Sequence, residues 1–144
     1  MNLIVADNIT SVTGWIGCVL IGLEVLTPYL LRKNWLSERL GTLKFGAKLS
    51  YLQRLWPHYW IGHVLLGLAI IHTWVPMQAR RMGATNATGL WIATVALLLM
   101  LVQWLTGLRL KDSKFAARVA TRSWHYWLMF GIVVLVGAHL WLNG

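Results

Sequence analysis

Two stretches decide how this chain folds: Leu55–Met77, LWPHYWIGHVLLGLAIIHTWVPM, and Trp124–Leu142, WHYWLMFGIVVLVGAHLWL. Each is long and apolar enough to cross the hydrocarbon layer as a helix, which takes about 20 residues, and neither contains Asp, Glu, Lys or Arg. Two further stretches, Val12–Leu31 and Gly89–Leu108, also qualify. The expected fold is therefore an all-α integral membrane protein, a four-transmembrane-helix bundle. It forms a single membrane domain over residues 1–144, with spans at about 12–31, 55–77, 89–108 and 124–142. Composition agrees: 58% of the 144 residues are hydrophobic, 12% are charged and the mean hydropathy is +0.60. Once the spans are removed, no stretch remains that is long enough for a second soluble domain. Pro57 suits the first turn of the second span and Pro76 its end.

Charge sets the expected orientation. Thirteen Lys and Arg stand against four Asp and Glu, a formal net charge of +9. Eleven of the thirteen fall in two connections. Arg32, Lys33, Arg39, Lys44, Lys48 and Arg54 lie in the first, and Arg109, Lys111, Lys114, Arg118 and Arg122 in the second. Arg80 and Arg81 are the remaining two. By the positive-inside rule both basic connections face the cytoplasm, and both termini lie on the outer or periplasmic side of a plasma (inner) membrane. Trp56, Trp60, Trp124 and Trp127 then form an inner aromatic belt, and Trp15, Trp74, Trp91 and Trp141 an outer one. The first span reads as a retained helix rather than a secretory signal, because the eleven residues before it carry Asp7 and no Lys or Arg. A basic balance confined to loops points to lipid headgroups and not to nucleic acid. Lys114, Arg118 and Arg122, four residues apart, suggest one face of a short interfacial helix or a dock for an acidic partner domain.

All five histidines fall in the second and fourth spans. His58 and His72 are 14 residues apart, as are His125 and His139. Fourteen residues of α-helix return to within about 40° of the starting direction after a rise of about 21 Å. Each pair therefore shares a face and marks two depths. The spans run in parallel under the charge-derived orientation, so His58 is expected opposite His125 on the inner side and His72 opposite His139 on the outer side. Neighbouring residues repeat too: His58/His125, Tyr59/Tyr126, Trp60/Trp127, His72/His139 and Trp74/Trp141 all share an offset of 67. Two helical hairpins related as a parallel internal repeat follow, with a pseudo-two-fold axis along the membrane normal.

Two facing pairs about 21 Å apart cannot bind one ion, so two centres are required. Zinc or copper wants further close ligands, and a di-iron bundle wants inward carboxylates with Glu-x-x-His, which this chain lacks. A planar macrocycle supplies four nitrogens and asks the protein for two axial ones, so two bis-histidine haems b fit the count. Covalent attachment is excluded because Cys18 is the only cysteine, which also rules out an internal disulfide.

With these residues assembled, the pattern resembles the ferric-reductase-like, di-haem transmembrane cytochromes b, which carry two histidines 13 or 14 apart on each of two co-directional helices. The four-helix arrangement is also similar to the haem-bearing half of the cytochrome b of quinol-oxidising complexes. The resemblance covers the second and fourth spans well and the rest by topology. It implies that His58 and His125 ligate an inner haem and His72 and His139 an outer one. This chain has four spans where those enzymes usually have six, and it has no flavin- or nicotinamide-binding domain.

Arg54 and Arg122 precede His58 and His125 by four and three residues, which suits them to the anionic haem propionates. Arg80 and Arg81 are the corresponding outer candidates. His63 lies about 140° from His58 on the helical wheel, off the ligand face, and reads as a packing histidine with a quinone or proton role as its alternative. Glu24, the one acidic residue within a span, must be neutral or paired. Glycines at 14, 17, 22, 62, 67, 131 and 137 suit close helix packing or a macrocycle, Met100 and Met129 read as packing residues, and Cys18 as a small buried one.

The expected function is a di-haem b-type cytochrome subunit that carries electrons across the membrane. Its donor and acceptor are partner proteins, such as a cytoplasmic flavoprotein, or a quinone. The small shielding capacity of the chain favours a homo- or hetero-oligomer. A self-sufficient quinol or ferric reductase and a non-redox structural subunit are the alternatives.

Overall fold

The computed structural model describes residues 3–32, 55–78, 86–112 and 116–143. It contains four long helices: α1 (Leu3–Arg32), α2 (Trp56–Gln78), α3 (Ala87–Lys111) and α4 (Arg118–Asn143). All four are long and apolar enough to cross a membrane. Arg54, Arg80, Arg81, Lys114 and most of the first basic connection lie outside the described residues.

The helices overrun the expected spans, most of all at two ends. α1 starts at Leu3 rather than Val12, and α4 at Arg118 rather than Trp124. Hydropathy marks the thickness of the hydrocarbon layer, whereas a helix continues into the interface while its residues allow. Leu3–Asn8 and Ala120–Thr121 present no barrier to it. Arg118 and Arg122 consequently sit in the opening turns of α4 itself and not on a separate interfacial helix. α3 starts at an Asn86 cap, whose side chain accepts a 3.0 Å bond from the Thr88 amide, and ends at Asp112, whose amide donates to the Arg109 carbonyl. Pro57 stands in the first turn of α2 and Pro76 in its last. Pro28 within α1 supplies no amide hydrogen to the Glu24 carbonyl one turn earlier.

α1 packs along α2, α3 along α4, and α2 also meets α3. Glu24, late in α1, reaches His58 early in α2, while Thr10, early in α1, reaches His72 late in α2. These two helices are therefore antiparallel. Thr106 with His125 and Gly89 with His139 establish the same for α3 and α4. The core is small: Ala6, Ile21, Leu65, Ala96 and Ile132 are its buried apolar residues among those described. Small residues in that set let backbones approach, as association inside lipid requires, since lipid tails remove the hydrophobic drive between helices. The rest of the apolar surface turns outward. Trp15, Trp56, Trp60, Trp74, Trp91, Trp124, Trp127 and Trp141 are all exposed. Threonine hydroxyls are satisfied internally: Thr10, Thr73 and Thr94 donate to the carbonyls of Ala6, Ala69 and Leu90 one turn back.

Ile132, 2% exposed, fills the middle of the bundle. Ile132→Ala removes dispersion contacts that lipid does not replace there, and should destabilise the detergent-solubilised protein by about 2 kcal/mol, the low end of the range for such truncations. Val133→Ala, at an exposed neighbour, should leave the thermal unfolding midpoint nearly unchanged in the same assay.

Candidate functional site

The two faces carrying histidines meet. The rings of His58 on α2 and His125 on α4 have centroids 6.2 Å apart with planes at 73°. Those of His72 and His139 lie 6.4 Å apart at 85°. The pairs form at matching depths along α2 and α4, as the 14-residue spacing predicts, and in neither pair do the rings stack.

What holds each ring is a contact from its Nδ1 to a flanking helix. His72 Nδ1–H donates to the Thr10 carbonyl of α1 at 2.9 Å, with the Thr13 hydroxyl 3.3 Å away. His139 Nδ1–H donates to the Gly89 carbonyl of α3 at 3.1 Å. Both acceptors are carbonyl oxygens, which pair with the tautomer carrying hydrogen on Nδ1, and the Asn143 amide also lies 3.3 Å from His139 Nδ1. The Thr106 hydroxyl donates to the Gln103 carbonyl at 2.8 Å, which leaves its oxygen to accept from His125 Nδ1–H at 3.0 Å. His58 Nδ1 is in direct contact with Oε2 of Glu24. In His72, His125 and His139, with Nδ1–H engaged, a neutral imidazole keeps the lone pair on Nε2, the tautomer that can bind a metal from that atom.

Glycines admit these contacts. A Cβ on Gly14 would stand 3.0 Å from His72 Cε1, and one on Gly107 3.4 Å from His125 Cε1, so both rings lie almost against the backbone of α1 or α3. A Cβ on Gly62 would stand 3.1 Å from Glu24 Oε1. That approach brings the carboxylate to the ligand face of α2.

Each pair opens on its own cavity. One is lined by His58, His125, Glu24, Gln103 and Trp104, and the other by His72, His139, Thr13, Gly14 and Gly17. Both are partly open and almost wholly apolar apart from these groups. Leu65 and Met100 line both cavities and form the wall between them. Among the described residues no three His, Cys, Asp or Glu side chains gather as ligands for a bare metal ion. Each cavity is bordered by one facing histidine pair, with His63 also at the edge of the first.

The structure thus brings together all four histidines expected as ligands. Arg54 lies outside the described residues, and Arg122 is exposed one turn before His125 on α4. His63 is turned off the line of His58 and His72 but borders the first cavity. Its ring lies edge-on to Trp104 of α3 with centroids 5.7 Å apart, and its Nδ1–H donates to the Tyr59 carbonyl. Glu24 is paired, as its burial demands. Met100 and Met129 line cavities, as does Cys18. Sequence reasoning missed Thr10, Gly89, Thr106 and Gly107. A main-chain acceptor leaves no trace in side-chain identity, but the 79-residue offset shared by Thr10/Gly89 and Thr27/Thr106 is a signal that was there to read.

The chain matches no protein-family model, no curated protein and no solved structure.

Thr106→Val removes the hydroxyl that accepts from His125 Nδ1–H. Leaving that donor unmet costs about 1–3 kcal/mol in general. The low end is expected because the Gln103 carbonyl stands beside it. Thermal unfolding in detergent should show a lower midpoint for Thr106→Val and a near-normal one for Thr106→Ser, which keeps the oxygen.

Proposed function

We propose that this protein is a membrane-embedded electron carrier that holds two non-covalent haems b, one between His58 and His125 and the other between His72 and His139. The observation that carries this reading is the ring geometry. A metal–imidazole bond is about 2.0–2.1 Å and a ring centroid lies about 1.1 Å beyond its nitrogen, so two rings ligating one ion from opposite sides hold their centroids about 6.3 Å apart. The two pairs stand at 6.2 and 6.4 Å. Nδ1 anchoring and the apolar lining around each pair support the same reading. When bound, haem supplies one-electron Fe(III)/Fe(II) chemistry.

The chain's own residues have defined tasks in this reading. The four imidazoles would hold the two haems. α1 and α3 orient them through Nδ1, and the apolar walls exclude water. Arg122, with Arg109, Lys111 and Arg118 at the same end of the bundle, would provide positive charge for propionates on the His58/His125 side, and Arg54 is assigned there from its spacing. Leu65 and Met100, which line both cavities, would separate the two groups.

The architecture supports an internal repeat of two helical hairpins. Besides the offset of 67 on the ligand helices, residues on α1 and α3 correspond at an offset of 79: Thr10/Gly89, Glu24/Gln103 and Thr27/Thr106. The second cavity is lined by such pairs, including Gly14/Ala93, Gly17/Ala96, Ala69/Val136 and His72/His139. By loop charge both termini face outward from the plasma (inner) membrane. Electron donor and acceptor are partner proteins at the two surfaces. A quinol reductase is the second reading, favoured by Gln103 Oε1 and Trp104 Nε1, which have no hydrogen-bond partner among the described residues and border the first cavity.

Haem measured as the pyridine haemochrome should approach two per chain, with a low-spin reduced-minus-oxidised spectrum. His125→Ala and His139→Ala should each lower it to about one, and the double variant should abolish it. Absence of haem from wild-type protein produced with ample haem overturns the proposal in favour of a structural subunit. Reduction of the isolated protein by a quinol analogue selects the second reading. A C-terminal reporter active only outside the cytoplasm should be active.

A further inference from the structure

The two histidine sites differ in charge at one Nδ1 group. Three of the four Nδ1 groups meet neutral oxygens, the Thr10 and Gly89 carbonyls and the Thr106 hydroxyl. The fourth, on His58, meets a carboxylate. The residue related to Glu24 by the 79-residue offset is Gln103, of the same shape and without charge. Glu24 is 7% exposed, and its Oε1 has no hydrogen-bond partner among the described residues. Burial of a carboxylate in an apolar span is unfavourable, and Gly62 is what lets this one stand beside the ligand face.

A ligand histidine that gives its Nδ1 hydrogen to an anion becomes a stronger donor through Nε2 than one bonded to a carbonyl. A stronger donor, with a negative charge beside it, favours the more positive oxidation state of the metal. We propose that Glu24 is a positioning residue that lowers the midpoint potential of the His58/His125 site below that of the His72/His139 site. The carboxylate stands at one of the two centres only and so makes them unequal, with electrons at equilibrium resting on the His72/His139 side. This inference rests on the di-haem reading above.

The test is a potentiometric titration of purified protein whose haem content has first been measured. Wild-type protein should titrate as two components. Glu24→Gln should keep both haems and raise only the lower component, by about tenfold in the reduced-to-oxidised ratio at fixed ambient potential, or about 59 mV for a one-electron couple. Glu24→Asp, which keeps the charge, should stay close to wild type. Two haems with unmoved midpoints in Glu24→Gln, or a shift confined to the higher component, overturn the inference and leave the di-haem reading standing. Lack of haem in wild-type protein overturns that reading instead. Should Glu24→Gln lose haem, single-site proteins decide the matter. His139→Ala retains the Glu24 site and should titrate at a lower potential than His125→Ala, and equal or reversed values overturn the inference.

Discussion

The Nδ1 hydrogen bond is the interaction on which the arrangement depends. Inside a bilayer no water is present to meet a polar ring atom, so each imidazole nitrogen must find a partner within the protein. For the four paired histidines a partner comes from the helix flanking the ligand helix: α1 meets His58 and His72 of α2, and α3 meets His125 and His139 of α4. One contact therefore ties two helices together and orients the ring. The glycines follow from it, since a ring that bonds to a neighbouring backbone must lie close to that backbone, as at Gly14 and Gly107.

Much of this was legible in the residues. The four spans were plain from hydropathy, and the 14-residue spacing correctly predicted which histidines would face one another. Helix ends were less legible, because hydropathy reports the hydrocarbon layer whereas Leu3–Asn8 and Arg118–Ser123 continue their helices beyond it. The acceptors on α1 and α3 were hidden for a different reason. Thr10 and Gly89 act through main-chain oxygens that every residue possesses, so only the geometry of the neighbouring helix selects them. Glu24 was visible as an isolated charge, but its partner depended on the rotation of α1 about its axis, which a helix with apolar residues on every side leaves undetermined.

The bundle has little interior. Five apolar residues are buried among those described, while partly open apolar cavities lie against both histidine pairs. Lipid tails are as apolar as leucine, so sequestering hydrophobic side chains does not reward packing here as it does in water. Cohesion falls on close backbone contact, polar links between helices and whatever fills the cavities. On the proposed reading the cofactors would be structural as well as functional, since each would join α2 to α4, a pair that the contacts of α1 with α2 and of α3 with α4 do not secure.

The two centres are not counterparts of each other. The offset of 67 pairs His58 with His125 and His72 with His139, so the axis of the proposed repeat passes through both sites and relates the two ligands within each. The sites are therefore free to differ, and the surroundings of each bear on where an electron rests. At the His72/His139 site both Nδ1 atoms meet carbonyls, those of Thr10 and Gly89. At the His58/His125 site one meets the Thr106 hydroxyl and the other the Glu24 carboxylate. Gln103, the counterpart of Glu24, borders that same cavity and carries no charge. In a medium of low dielectric a full charge outweighs differences among neutral donors, so a carboxylate at one site alone is a minimal change by which the carrier acquires a direction.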